Sequence, residues 1–145
     1  MLFRSNPLCY YRFLRSLHAA VVLVAEPGPE HPLFRHIREI FPDCQVVSGS
    51  ITEDFEHLRQ ARFLASSGVG TFAIAAALLS DHLKRFYCSS AYLTEHLNPS
   101  MLNQEDVEVV EFQMRDYMEK WHHANDRLQL LLHYQPGSLA TMSPR

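Results

Sequence analysis

A chain of 145 residues, 47% hydrophobic and 20% charged, with five glycines and eight prolines, has room for one domain around a real core and none for a second. Thirteen Lys and Arg against sixteen Asp and Glu leave a net charge of -3 without a basic block, which argues against the electrostatic footprint of a nucleic-acid binder. Three cysteines, Cys9, Cys44 and Cys88, without a CxxC pair, argue equally against a disulfide framework and a zinc site.

A first helix is expected around Tyr10 to Leu17. Arg4, Arg12 and Arg15 ahead of the apolar run Ala19 to Ala25 imitate a signal peptide. The run is too short to span a bilayer, and Glu26-Pro27-Gly28-Pro29 stands where a cleavage site would need small residues. Val21 to Ala25 is therefore expected to be a strand covered on both faces, as in a parallel sheet. Leu33, Phe34, Ile37, Ile40 and Phe41 share one helical face, and Pro42 ends that helix.

Cys44 to Val47 predicts a second strand. Ser50-Ile51-Thr52-Glu53 is a capping box, opening a helix that turns Phe55, Leu58 and Ala61 inward and ends near Arg62. Phe63 to Ala65 predicts a third strand, Ser66 to Gly70 a turn of small residues, and Thr71 to Leu79 a helix apolar on nearly all sides and hence expected to be buried on nearly all sides. Arg85 to Cys88 predicts a fourth strand, Ser89 to Asn103 a long connection, and Phe112 to Trp121 a helix with Met114, Met118 and Trp121 in the core. Leu128, Leu131 and Leu132 continue a second amphipathic piece before Pro136-Gly137. The alternation predicts an α/β domain over residues 1–135, a single Rossmann-like doubly wound parallel sheet of about four strands flanked by helices, with a flexible tail over 136–145.

In such sheets ligands bind beyond the carboxyl ends of the strands. The leading candidate there is Ser66-Ser67-Gly68-Val69-Gly70-Thr71-Phe72. A helix N-terminus attracts anions, the glycines admit a ligand close to the backbone, and Ser66, Ser67 and Thr71 offer hydroxyls to pyrophosphate oxygens. The same residues would also serve as an ordinary turn with Thr71 as helix N-cap. Glu26 follows the first strand, where it could meet a ribose or base or be an exposed turn carboxylate. Asp54 lies in the first turn of its helix, where its charge suits the helix dipole without any ligand. Gly68-x-Gly70-x-x-Ala73 matches a loose dinucleotide fingerprint but follows the third strand, without the acidic residue expected about twenty positions on. The nine histidines show no metal-ligand spacing.

Tyr10-Tyr11, the capped helix with Asp54-Phe55 and Leu58, then Ala61 to Ser67 followed by Gly70-Thr71-Phe72-Ala73 and an Ala-rich helix, together resemble the C-terminal half of fucosyltransferase-like glycosyltransferases of the GT-B type. The resemblance covers roughly Tyr10 to Arg85. It implies that Gly70-Thr71-Phe72 sits beside the diphosphate of a nucleotide-sugar donor such as GDP-fucose, that Glu26 and Asp54 occupy the family's acidic positions, and that no metal is required. It implies a glycan or glycoconjugate acceptor and an N-terminal half, bearing an arginine motif, beyond these residues; a whole enzyme would need about twice this length. A non-catalytic remnant of that fold and an NAD-binding oxidoreductase are the alternatives.

Overall fold

The computed structural model describes residues 6–25, 32–68, 70–90, 99–104, 106–114, 116–136 and 143–144. Helices and strands alternate: α1 (Leu8–Arg15), β1 (Val22–Val24), α2 (Pro32–Ile40), β2 (Gln45–Val47), α3 (Ile51–Arg59), β3 (Phe63–Ala65), α4 (Thr71–Leu78) and β4 (Arg85–Ser89). After β4 come β5 (Glu108–Phe112), α5 (Tyr117–His123), α6 (Arg127–His133) and β6 (Ser143–Pro144). The α/β class expected from the alternation is what the chain adopts. In place of the expected single parallel sheet, the strands form two ladders among the described residues: β1 pairs with β2 in parallel, and β3, β4 and β5 form a parallel set that β6 extends antiparallel. Of the expected tail, Ser143–Pro144 is described, and it lies opposite Val110 and Glu111.

The pleat of the larger sheet separates two cores, because successive side chains point to opposite faces. Leu64, Phe86, Cys88 and Val109 pack with Ile74, Ala76 and Ala77 of α4 on one side, joined by the half-buried Phe55 and Leu58 of α3. Phe112 packs on the other side with Tyr10 and Tyr11 of α1, Leu33 and Ile37 of α2, Trp121 of α5 and Leu131 of α6. Ser80 joins the far ends of α3 and α4, its hydroxyl donating to the Arg59 carbonyl (2.6 Å) and accepting from the Leu83 amide (3.0 Å). Cys88 is buried in the first of these cores. Burial pushes the half-buried Cys9 thiol up to about 11, so it stays protonated at neutral pH and is a poor nucleophile.

Three further expectations need correction. Phe112 ends a strand rather than opening a helix, and the helix carrying Met118 and Trp121 starts at Tyr117; the free edge of β4 recruits residues 108–112 through long-range pairing that helical periodicity cannot register. Met114, Met118 and Trp121 still pack into the core, as expected. β1 is not covered on both faces, since Val22 is 53% exposed. Nor is α4 enclosed: Ile74, Ala76 and Ala77 meet the core, while Phe72 is 43% exposed and Leu79, the C-cap, 60% exposed. An all-apolar helix sequence fixes no buried face, and contact with a single core determines one.

Candidate functional site

The predicted turn leaves the carboxyl end of β3. Ser66 continues the strand's hydrogen bonding, its amide donating to the Tyr87 carbonyl (2.9 Å). Its side chain is 1% exposed, and its hydroxyl has no hydrogen-bond partner among the described residues. It therefore faces the interior rather than solvent, unlike Ser67 and Thr71, which are exposed. Gly68 is half-buried; Val69 and Glu26 lie outside the described residues.

The N-cap of α4 is Gly70, at φ -73° and ψ 151°, and not Thr71, which is the first helical residue. With glycine in that role, the N-cap residue offers no side-chain hydrogen bond to the first turn. A Cβ added at Gly70 would meet no atom within 4 Å, so space adjoins the backbone where the helix begins. The positive end of the helix dipole adjoins that space, and Thr71, the first helical residue, is exposed.

The start of α3 is different. The Ser50 hydroxyl accepts from the Glu53 amide (3.3 Å), and the Glu53 carboxylate accepts from the Ser50 amide (2.8 Å), completing the capping box read from the sequence. Those bonds from Ser50 hold the Glu53 carboxyl below its ordinary value. A group depressed in the folded state stabilises above its unfolded pKa, and that contribution is lost as pH falls through the folded value. Wild-type urea midpoints are therefore expected to carry an acid-dependent component that develops below about pH 4.5, the ordinary value for this carboxyl, and that is diminished in Glu53→Gln. An identical pH profile for the two proteins would refute the capping contribution.

Asp54 is buried, and its Oδ1 accepts from the Gly49 amide (2.9 Å). It thus braces the turn after β2, a role beyond the dipole interaction expected from its position. With Val47, Ser48, Gly49, Glu53 and His57 it lines a cleft of about 320 Å3 beyond the carboxyl end of β2. This cleft is separate from the Ser66 to Phe72 turn in lining residues. The two are linked through Phe55, next to Asp54, whose ring meets Phe72 edge-on with centroids 5.4 Å apart. Sequence reasoning named Asp54 as a candidate binding residue and Glu53 as a capping partner, and did not place either of them, or His57, in a cleft.

It also missed Asn6 and Tyr11. Asn6 is 1% exposed, and its amide donates to the Ser67 carbonyl (2.9 Å) while its Nδ2 donates to the Ser66 carbonyl (3.0 Å). The Tyr11 hydroxyl donates to the same Ser67 carbonyl (3.0 Å). No local pattern in the sequence announces these contacts, which cross 56 to 61 positions.

Among the described residues, no group of three or more His, Cys, Asp or Glu is placed to hold a metal ion, and no helix is long and apolar enough to cross a membrane. Compared with protein-family models, with curated proteins and with solved structures, the chain matches none.

Proposed function

We infer that this chain is a nucleotide-sugar-binding domain of the glycosyltransferase type, akin to the Rossmann-like C-terminal half of a GT-B enzyme, and that the turn from Ser66 to Phe72 receives the donor's diphosphate. The observation that carries the reading is the start of α4: a helix N-terminus at the carboxyl edge of parallel strands, with no side-chain hydrogen bond from its N-cap, with open space at Gly70 and exposed hydroxyls at Ser67 and Thr71. Amide dipoles and hydroxyls of this kind stabilise negative charge, which is what a departing nucleoside diphosphate develops during glycosyl transfer. The turn contains no titratable side chain. Its task is thus to hold the leaving group, and a base for the acceptor would have to come from elsewhere, in keeping with a domain that works beside a second half. The same lack of an acid or base supports the second reading, a binding module of this fold without turnover.

Calorimetric titration with GDP, GDP-fucose and NAD, followed by an assay for released fucose, tests these readings. Saturable GDP binding that weakens at least tenfold in Thr71→Ala is expected, a loss of the size of one hydrogen bond to a charged group. Fucose release would favour the enzyme, and binding without release the module. Binding of NAD alone would overturn both.

A further inference from the structure

We propose that Asn6 is a positioning residue for the phosphate-binding turn, aiming two of its backbone N–H groups by holding the two carbonyls that precede them. This rests on the nucleotide reading above. Asn6 bridges two strand ends: its Nδ2 and backbone amide hold the Ser66 and Ser67 carbonyls after β3, and its Oδ1 accepts from the Ser89 hydroxyl (2.7 Å) at the end of β4. Both Asn6 and Ser89 are fully enclosed. Such bonds are strengthened by the low local dielectric and costly to leave unmade.

The consequence follows from peptide geometry. In a planar trans peptide the C=O and the following N–H point in opposite directions, and no peptide bond in the described chain is cis. With the Ser66 and Ser67 carbonyls drawn toward Asn6 and Tyr11, the Ser67 and Gly68 N–H groups are directed away from α1. Two consecutive peptide planes are thereby fixed before any ligand arrives. A pre-set donor pair loses less entropy on binding than a free loop would, so the segment at the start of α1 acts on phosphate affinity without touching phosphate. Tyr10 provides an internal comparison. Its hydroxyl donates to the Tyr87 carbonyl on β4 (3.0 Å), which also accepts from the Ser66 amide (2.9 Å), so it braces the same end of the sheet one bond further from the Ser67 and Gly68 N–H groups.

The test combines GDP calorimetry, thermal melting and amide hydrogen exchange on wild type, Asn6→Ala, Tyr11→Phe and Tyr10→Phe. Asn6→Ala is expected to weaken GDP binding about tenfold and to speed exchange of the Ser67 and Gly68 amides about tenfold, the scale of one lost buried hydrogen bond. Tyr11→Phe is expected to move both readouts in the same direction by less, and it carries the test should Asn6→Ala fail to fold. Tyr10→Phe is expected to lower the melting temperature while changing GDP affinity and turn exchange much less than Asn6→Ala does. Unchanged exchange in the turn, or a loss of GDP affinity in Tyr10→Phe as large as in Asn6→Ala, would overturn the positioning role. A wild-type chain that binds neither GDP nor inorganic pyrophosphate overturns the nucleotide reading, and with it the ligand assigned to the turn. Wild-type binding left undiminished in Asn6→Ala overturns the role of Asn6 alone.

Discussion

Replacing Gly70 with Asp is expected to raise stability and abolish nucleotide binding in one step. Gly70 has an extended backbone that any residue can adopt, and a Cβ there meets nothing within 4 Å. Aspartate is a better N-cap than glycine, restricts the unfolded chain and complements the helix dipole, contributions that together amount to about 1 kcal/mol. For a chain of this size that raises the melting temperature by about 3 °C. The same carboxylate would occupy the place proposed for a phosphate. Two like charges about 4 Å apart near a protein surface repel by about 4 kcal/mol, so GDP affinity should fall at least about a hundredfold. Gly70→Ala, with a Cβ and no charge, is expected to retain binding. The two arms have opposite signs, so damage to the fold cannot imitate the result. Scanning fluorimetry and calorimetry on the three proteins would decide it, and wild-type GDP affinity in Gly70→Asp would sink the site.

Val109→Asp is expected to abolish cooperative folding. Val109 is 1% exposed on β5, next to β4, and packs with Leu64, Ile74 and Phe86. The substitution forfeits about 1.5 to 3 kcal/mol of apolar burial and adds several kcal/mol for a carboxylate enclosed without a partner. Together these match the whole stability of a typical domain, about 5 to 15 kcal/mol. Val22→Asp, at a site more than half exposed on β1, is expected to leave the chain folded. Near-ultraviolet circular dichroism and urea unfolding of both variants provide the check. A Val109→Asp protein that unfolds cooperatively at the wild-type midpoint would show that residues 108–112 are not a core strand.

That second prediction falls where sequence reading was weakest. β1 to β4 and their helices were legible to within a few residues because their signals are local: Pro42 closing α2, the Ser50 and Glu53 box opening α3, the small-residue turn before α4. β5 was not. Glu108 and Glu111 interrupt its apolar run, and Phe112 falls into helical step with later residues, so the periodicity of α5 extended backward over the strand. Exposure was misjudged for a related reason. The apolar stretches at β1 and α4 imply burial on average, yet Val22 and Phe72 are exposed because whether a given side of an element is covered depends on packing across the whole chain.

The candidate site divides the same way. By itself the sequence determined the strand, turn and helix around Gly70-Thr71, and the small uncharged side chains that leave the helix end open, since both follow from local backbone chemistry. Only the tertiary structure decided that Gly70 rather than Thr71 is the cap, that Ser66 turns inward, that Asp54 is engaged by Gly49, and that Asn6 and Tyr11 hold the carbonyls of the turn. The bonds of Asn6 to Ser66 and Ser89 join residues 60 and 83 positions apart. Such bonds gain their strength from burial, and burial exists only once the chain has collapsed around them.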